Sequence, residues 1–402
     1  MAGAGPDPEA GGAERRGTEA TGVNSFDEWS PLKEVIVGSP IRYESQELEL
    51  SFKLFFHDEA YASFWYPYYE EASHDQRHPS SRRTPLRQLG KQYLEELDED
   101  VQELVATLQK SGVTVHRPMV LHEVVRVKTP YWEASTIPAL NVRDQAIIMG
   151  DEIVETPPQV RARYFENDLL KAVFYRYFRA GSRWTTMPRP MMTDRSFDTS
   201  YVSGQSVPAL EAVYAQSASP FDVGFEMMFD AAQCIRFGQD VLVNVSTENH
   251  ALGVEWLKRH FEGRFRFHTL CGFADNHIDS IVLPLRPGVL LLRHPRFREK
   301  LPAPLQKWDV IYPPEPTDNI FPQYESDDLM LTSKYIDLNV LSLDEETVLV
   351  NSLFPELVKT LERHGFTAVP VRHRHRRLFG GGFHCFTLDT VRAGSAREDY
   401  FR

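Results

Sequence analysis

The chain has 402 residues, of which 42% are hydrophobic and 25% charged, as in an ordinary folded protein. Its formal charge of −13 disfavours nucleic acid and anionic lipid and favours cationic small molecules. Three scattered cysteines argue against a disulfide framework or a zinc cluster, and no apolar run approaches the roughly 20 residues that span a bilayer. We expect a cytoplasmic protein that binds neither nucleic acid nor membrane.

The first 24 residues are rich in Gly, Ala, Glu and Pro, and no apolar stretch accompanies the paired Arg15 and Arg16. This composition predicts a disordered tail over residues 1–24. We expect a single folded domain over residues 25–402. The alternative is two α/β domains separated near the polar segment 195–218, which we interpret as an insertion because the pattern described next resumes after it.

Hairpin patterns recur along the rest of the chain. The clearest covers residues 145–155, where Gly150 and Asp151 separate two runs of Ile, Met and Val. Three further hairpins are predicted over residues 234–245, 281–292 and 338–350. A fifth is divided between the ends of the chain, because residues 32–37 and 383–391 both have strand patterns that could pair.

A helix pattern and a short strand follow each hairpin. The best helix covers residues 89–110, where apolar residues keep helical spacing until Ser111-Gly112. The other predicted helices cover residues 160–179, 252–261, 297–308 and 354–364. The predicted closing strands cover residues 113–116, 184–187, 265–269, 310–312 and 367–371. Five such strand-strand-helix-strand modules must bury their apolar faces against one another, which predicts an α/β fold closed as a pseudo-fivefold propeller.

Acidic residues recur just before the strands of three modules, at Asp144, Asp230 and Asp279. Equivalent strand starts converge in a pseudo-symmetric ring, so these carboxylates could surround one ligand. A guanidinium group is planar and permanently charged, and it prefers acceptors of this kind. Each aspartate alone could equally be a turn or capping residue.

A histidine and a cysteine complete this set. His277 and Asp279 alternate on a predicted strand and would share one face, which suits an acid or base beside a substrate carboxylate. Cys385 follows three glycines, Gly380 to Gly382, which let the backbone pass close to a ligand before presenting a thiol. Each could instead be structural, as a solvated histidine and a buried cysteine, and the structural role is our interpretation of Cys234 and Cys271.

Several motifs together resemble the amidinotransferase family, a branch of the pentein superfamily of fivefold α/β propellers. The motifs are Phe26-Asp27-Glu28-Trp29, Arg143-Asp144, Phe229-Asp230-Ala231-Ala232, His277-Ile278-Asp279, Thr332-Ser333-Lys334 and Gly380-Gly381-Gly382-Phe383-His384-Cys385. The similarity covers nearly the whole chain after Asn24. It implies an enzyme that moves the amidino group of arginine to an acceptor amine, without a metal or an organic cofactor. A homodimer is expected only because dimers are the commonest assembly.

The resemblance also implies a role for each site residue. Cys385 would be the nucleophile, His277 the acid and base, and Asp230 the carboxylate partner of His277. Asp144 and Asp279 would hold the guanidinium. The residues that would bind the amino-acid end of the substrates are Arg296, Thr332 and Ser333.

The acceptor stays open. Resemblance to the glycine-using branch favours glycine, giving guanidinoacetate and ornithine, and the inosamine-phosphate branch is also similar. Gln233 stands where glycine-using members often have an acid, and Asp275-Asn276 replaces an apolar residue before the histidine. An aminocyclitol, ornithine or another amine of specialised metabolism is therefore an alternative acceptor. The motifs are also compatible with an arginine deiminase-like hydrolase and with a catalytically silent binding protein.

Overall fold

A computed structural model describes residues 21–43, 49–55, 91–199, 222–274, 276–322, 332–396 and 399–401. Residues 1–20 of the predicted tail lie outside these ranges. Its last residues are not a tail, because Val23 is buried and the side-chain amide of Asn24 donates to the carbonyl of Arg392 at 2.6 Å. The boundary predicted at Asn24 is therefore too late in the chain.

The described residues form seventeen strands and five α-helices. The strands are β1 Leu32–Val37, β2 Thr114–His116, β3 Arg126–Lys128, β4 Glu133–Ser135, β5 Ala146–Met149, β6 Glu152–Glu155, β7 Arg183–Thr186, β8 Cys234–Phe237, β9 Asp240–Val245, β10 Arg266–Cys271, β11 Val282–Arg286, β12 Val289–Leu292, β13 Asp309–Ile311, β14 Leu341–Ser342, β15 Thr347–Asn351, β16 Thr367–Val371 and β17 Thr387–Arg392. The helices are α1 Leu50–Phe55, α2 Lys91–Lys110, α3 Lys171–Arg179, α4 Glu248–His260 and α5 Pro355–Arg363. None of these helices is both long and apolar enough to cross a membrane.

Five three-stranded sheets repeat one topology. Each consists of an antiparallel hairpin and a third strand that runs parallel to the middle one. Their strand orders are β17-β1-β2, β5-β6-β7, β8-β9-β10, β11-β12-β13 and β14-β15-β16. The predicted hairpins are confirmed, including the pairing of the chain's two ends as β1 and β17. The fold is mixed α/β.

The hairpin turns show why the pattern was readable. Gly150 has a φ of +66° and Gly238 a φ of +72°, a left-handed conformation that glycine adopts without steric cost. Helix α2 shows the corresponding helical rule, because Leu97, Val101 and Leu104 on one face are all buried. Residues 89 and 90 of that predicted helix lie outside the described ranges.

Two helix predictions need correction. The predicted helix over 297–308 is wrong, since two 3-10 turns, Pro295–Lys300 and Leu305–Lys307, stand there. Pro302 and Pro304 lack the N–H groups that an α-helix would need at that place. In the helix predicted over 160–179, only its last half is α-helical, as α3. The two-stranded sheet of β3 and β4 was not predicted.

The segment before β1 joins three sheets. Asn24 bridges to Val391 in β17, Ser25 bridges to Gly150 in the turn between β5 and β6, and Asp27 bridges to Phe237 in β8. Because these contacts use backbone groups, they depend on the path of the chain rather than on particular side chains. They explain why residues 23–27 belong to the folded part.

A buried ionic network reinforces this junction. The guanidinium of Arg236, in β8, donates to both carboxylate oxygens of Glu28 at 2.9 Å and to Asp389 in β17 at 2.8 Å. Arg143 pairs with Asp389 at 2.7 Å, and Arg392 donates to Asp389 at 2.7 Å. These side chains are at most 6% exposed. The positive charges of the arginines hold the pKa values of Glu28 and Asp389 below the usual range despite burial.

We predict that Arg236→Met lowers the free energy of unfolding by about 3–5 kcal/mol, because it leaves the buried Glu28 without its main cation and removes one of the three arginines that contact the buried Asp389. Chemical denaturation followed by circular dichroism would measure the loss. The matched control is Arg259→Met, since Arg259 is 79% exposed and pairs only on the surface; its effect should stay within about 1 kcal/mol. Equal effects of the two substitutions would contradict the role given to Arg236.

Candidate active site

Residues just before the first strands of several modules line one cavity of about 580 Å³. Asp144 precedes β5, Asp279 precedes β11 and Cys385 precedes β17, and all three line this cavity. His277 lines it as well. Asp230, which precedes β8, is fully buried in contact with His277. The structure therefore brings together all five residues that the sequence grouped.

The loop that carries Cys385 is shaped by Asn339. The side-chain oxygen of Asn339 accepts from the backbone N–H of Gly382 at 3.2 Å and of Cys385 at 2.8 Å. A Cβ on Gly382 would lie 2.7 Å from the Asn339 Cβ, so the loop needs glycine at that position. Asn339 itself stands just before β14, the equivalent position in the remaining module.

The thiol of Cys385 lies in an acidic, buried environment. Its side chain is 3% exposed, and the Sγ lies 3.4 Å from the Oδ2 of Asp279, to which the S–H donates. Burial, together with the negative charges of Asp279 and Asp144, raises the pKa of Cys385 well above its usual value. Without a cationic ligand the group is a neutral thiol at neutral pH.

His277 is held by two aspartates. Its Nε2 donates to Asp230 Oδ2 at 2.9 Å, and its Nδ1 lies 3.7 Å from Asp144 Oδ1. Burial would lower the pKa of His277, but these carboxylates outweigh it and raise the pKa to about 9. The ring is therefore an imidazolium at neutral pH and can give a proton to a ligand in the cavity.

Asp144 has one carboxylate oxygen engaged and one open. Its Oδ2 accepts from Arg163 at 2.6 Å, whereas its buried Oδ1 has no hydrogen-bond partner among the described residues. Burial raises the pKa of Asp144, which shows that further positive charge would be favourable there. Arg163 also donates to both oxygens of Glu166, whose pKa burial raises to about 7. An open, buried acceptor facing a cavity suits an N–H donor from a cationic ligand.

The carboxylate of Asp279 is in contact with His384. The Nδ1 of His384 is hydrogen-bonded to Asp279 Oδ2 at 2.8 Å, and its Nε2 lies 3.3 Å from Glu28 Oε2. Burial alone would raise the pKa of Asp279, but the hydrogen bond and charge of His384 keep it below the usual value. Asp279 is therefore ionised beside the thiol. Through Glu28 this contact connects the site to the buried ionic network.

The sequence suggested that His277 and Asp279 alternate on a strand, but the structure does not place them on one. The carbonyl of Ile278 accepts from the N–H groups of Ile281 and Val282, which folds residues 278–282 into a turn before β11. Ile278 is completely buried and anchors that turn. Both polar side chains still line the cavity, so the predicted shared face is provided by a different backbone conformation.

The remaining predicted residues also line the cavity. Arg296 lies in the 3-10 turn after β12, and Thr332 and Ser333 precede another 3-10 turn. The Ser333 hydroxyl accepts from the N–H of Tyr335 at 3.3 Å, and that of Thr332 donates to a backbone carbonyl at 3.3 Å. Sequence reasoning missed Arg163, Glu166 and Asn339. Only Asn339 had a usable signal, its place at the start of a predicted hairpin.

Asp144, Asp230 and His277 offer ligand atoms within 4.8 Å of one another, a spacing that could hold a metal ion. The guanidinium of Arg163 is already there, 2.6 Å from Asp144 Oδ2 and 4.0 Å from Asp230 Oδ2. Its fixed positive charge opposes a divalent cation at this place. We therefore assign no metal to this cluster.

A buried thiol, an imidazolium, the ionised Asp279 and further buried carboxyl groups around one cavity define a thiol site suited to a planar cation. A search of protein-family models finds no match. The chain is 32% identical to mitochondrial glycine amidinotransferase of Xenopus laevis over 94% of this chain and 85% of that protein. It is 30% identical to L-arginine:L-lysine amidinotransferase of Pseudomonas savastanoi pv. phaseolicola over 92% and 95%.

A solved structure agrees with these relatives. Inosamine-phosphate amidinotransferase of Streptomyces griseus superposes with a TM-score of 0.75 at 31% identity, over 93% of this chain and 97% of that chain. The chain belongs to the amidinotransferase family, in the pentein superfamily.

The structure describes two of the three positions that the sequence connected with the choice of acceptor. Gln233 is buried, accepts from the N–H of Asp230 at 3.0 Å and does not line the cavity. Asn276 does line the cavity, and its amide donates to the carbonyl of Phe55. Asp275 lies outside the described residues. Gln233 therefore acts on Asp230 rather than on a ligand.

We predict that His277 titrates near pH 9 and that Asp230→Asn moves its pKa down towards 6.5, because a charged acceptor is replaced by a neutral one. NMR of histidine-labelled protein, assigned with His277→Gln, would measure both values. The imidazolium stabilises the folded state below pH 6.5, and this contribution is lost as the pH rises to about 9. The stability difference between Asp230→Asn and the parent protein should therefore narrow above pH 9. An unchanged titration would contradict this coupling.

Proposed function

We propose that the protein transfers the amidino group of L-arginine to an acceptor amine through a covalent intermediate on Cys385. The observation that carries the proposal is the open Oδ1 of Asp144 in the same cavity as the Cys385 thiol. A guanidinium held by Asp144 and Asp279 would present its central carbon to the sulfur. Membership of the amidinotransferase family supports the same reaction.

The cavity also has groups for the other end of arginine. Arg296 can pair with the α-carboxylate, and the hydroxyl groups of Thr332 and Ser333 can contact the amino-acid end. These residues line the cavity that contains the carboxylates. A substrate with a cation at one end and an amino acid at the other therefore matches the lining.

The substrate itself activates the nucleophile. Asp279 and Asp144 raise the pKa of the thiol, and a bound guanidinium compensates both charges. The thiol pKa therefore falls when arginine binds, and the proton of Cys385 leaves to solvent. The resulting thiolate attacks the guanidinium carbon and forms a C–S bond, which gives a neutral tetrahedral adduct.

His277 supplies the proton for the first half-reaction. It protonates the Nε of the adduct, the Nε–Cζ bond breaks, and ornithine with a neutral δ-amine leaves a cationic amidino-cysteine behind. In the second half-reaction a neutral acceptor amine attacks that carbon, and His277 takes its proton. The C–S bond then breaks, and its electron pair returns to Cys385 as thiolate. The scheme is ping-pong and needs no cofactor.

Glycine is the leading acceptor, giving guanidinoacetate. The relatives support several kinds of acceptor rather than one, because their names specify glycine, lysine and inosamine phosphate.

Five sheets of one topology further support a single closed pseudo-fivefold propeller domain. We also propose a homodimer in the cytoplasm, although the glycine-using relative is named as mitochondrial.

We predict that Cys385→Ala releases no ornithine from arginine. The expected fall in kcat is on the order of 10⁶-fold, by analogy with other nucleophile deletions. The variant should still bind arginine, because the carboxylates remain. Mass spectrometry of the parent protein incubated with arginine should show one added amidino group. The matched control is Cys234→Ala, which removes the other buried cysteine. An adduct on Cys385→Ala at full yield would exclude Cys385 as nucleophile.

A hydrolase of the same fold would make a different product. We predict that arginine without an added amine gives a single turnover, with one ornithine per active site and no sustained citrulline formation, because the C–N bond to ornithine breaks in transfer. Liquid chromatography of the quenched reaction would count both products. A deiminase would instead release ammonia and accumulate citrulline at a steady rate.

A further inference from the structure

One peptide unit in the glycine loop before Cys385 is held from both sides. Its N–H, that of Gly382, donates to the side-chain oxygen of Asn339 at 3.2 Å. Its carbonyl, that of Gly381, accepts from the Nε2 of His373 at 2.9 Å. Because a peptide unit is planar, these two hydrogen bonds together fix its orientation. The proposed reaction gives His373 no part, although it holds one of the two sides.

The orientation of this peptide matters for the thiol. A Cβ placed on Gly381 would lie 3.1 Å from the Cβ of Cys385, so the backbone at Gly381 passes directly beside the Cys385 side chain. Glycine on each side of the peptide bond leaves the backbone free to adopt many conformations. Contacts from outside the loop must therefore fix the Gly381–Gly382 peptide, and a turn of that peptide would move the backbone beside the sulfur.

The His373 ring is neutral and carries its proton on Nε2. A carbonyl oxygen can only accept, so the contact with Gly381 requires the N–H to be on Nε2. The Nδ1 atom is buried and has no hydrogen-bond partner among the described residues, so that a second proton there would be unsatisfied. Burial lowers the pKa of His373 to about 4, although the hydrogen bond to Gly381 opposes this shift. The ring is therefore a permanent donor at neutral pH.

Neighbouring groups leave the His373 ring one position. Its backbone N–H donates to the Oδ1 of Asn351 at 3.2 Å, and its carbonyl accepts from the Nδ2 of Asn351 at 3.0 Å. The ring packs beside Phe386 and Phe383, with centroids 4.9 Å and 5.9 Å away. The backbone and the ring of His373 are thus both fixed before the ring reaches the loop.

The residues on either side of His373 attach this segment to helix α2. The Nε of Arg372 donates to Asp100 Oδ1 at 3.0 Å, and the backbone N–H of Arg374 donates to Asp100 Oδ2 at 2.6 Å. Asp100 is buried. The donor that holds Gly381 therefore belongs to a segment that is itself tied to the α2 helix.

We propose that His373 is a positioning residue of the transfer reaction, whose Nε2–H holds the Gly381–Gly382 peptide so that the Cys385 sulfur stays where it can attack the guanidinium carbon. The inference rests on the proposed transfer. His373 does not line the cavity, so it acts through the backbone and takes no part in the bond changes. Attack needs a narrow range of distances and angles, and a displacement of about 1 Å can cost roughly 100-fold in rate.

The test is the rate of the first half-reaction at saturating arginine, followed as ornithine released in a single turnover before any amine is added. His373→Leu removes the donor and keeps a side chain of similar volume, and we expect this rate to fall roughly 10- to 100-fold. His373→Gln places an N–H close to the position of Nε2, and its rate should stay within about threefold of the parent protein.

Affinity for arginine separates positioning from binding. Calorimetry on each His373 variant combined with Cys385→Ala would measure the Kd for arginine without reaction. We expect this Kd to change by less than about threefold, because Asp144 and Asp279 are untouched. A fall in rate without a matching change in Kd is the result that a positioning role requires.

Two further variants separate this role from a general structural one. His373→Asn keeps an amide group that is one methylene shorter than that of glutamine, so it should be as slow as His373→Leu. The matched control is His375→Leu, since His375 is also buried in this segment but contacts Glu96 in α2 rather than the loop. It should leave the single-turnover rate unchanged even where it lowers the unfolding temperature.

The unaltered protein offers an independent test. NMR of histidine-labelled protein, with His373 assigned from His373→Gln, should show a neutral ring that carries its proton on Nε2 and stays neutral until the pH falls to about 4. A neutral ring with its proton on Nδ1, or an imidazolium at pH 7, would overturn the inference. This measurement does not depend on the folding of any donor-free variant.

Equal single-turnover rates for the parent protein, His373→Leu and His373→Asn would also overturn the inference, as would a His373→Gln rate as low as that of His373→Leu. The parent protein tests the proposed function separately. Ornithine release that is insensitive to His373 removes only the inference. Absence of ornithine release from the parent protein contradicts the proposed transfer and the inference with it.

Discussion

The buried pairing of Arg236 with Glu28 and Asp389 is the interaction on which the rest of the structure depends. Glu28 lies before β1 and Asp389 lies in β17, so one guanidinium from β8 joins both ends of the chain. Removing such charges from water is costly, and only the complete set compensates that cost. The network therefore stabilises one arrangement of the ends. Its contact from Glu28 to His384 extends this order to the residue beside Cys385.

The site follows from repetition of one module. Each three-stranded sheet begins near the cavity or directly behind it, and the starts carry Asp144, Asp230, Asp279, Asn339 and Cys385. The equivalent place thus carries a cysteine in one module, a carboxylate in three others and, in the remaining module, the amide that shapes the Cys385 loop. Because the module with Cys385 is built from both ends of the chain, the thiol reaches its place only when those ends pair as β1 and β17.

The sequence predicted what local rules determine. Hairpins were readable because turn residues such as Gly150 separate aliphatic runs, and α2 because its apolar spacing is regular. The helix predicted over 297–308 is wrong because its prolines lack the N–H groups that an α-helix needs. The Arg163–Glu166 pair had no local signal, since its value comes from burial beside Asp144. Burial of charge is a property of the folded chain, and no pattern along the sequence reports it.

The negative charge around the cavity explains both its preference for cations and the low reactivity of the Cys385 thiol in the free protein. Burial, together with Asp279 and Asp144, raises the pKa of the Cys385 thiol and keeps it protonated in the free protein, because a further negative charge there is unfavourable. A protonated thiol is a poor nucleophile and resists oxidation. Cations that fit between the carboxylates and the sulfur relieve this condition. In the proposed reaction the charge that restrains the Cys385 thiol would also recognise the guanidinium of the substrate, so that the thiol becomes reactive only when that guanidinium is bound.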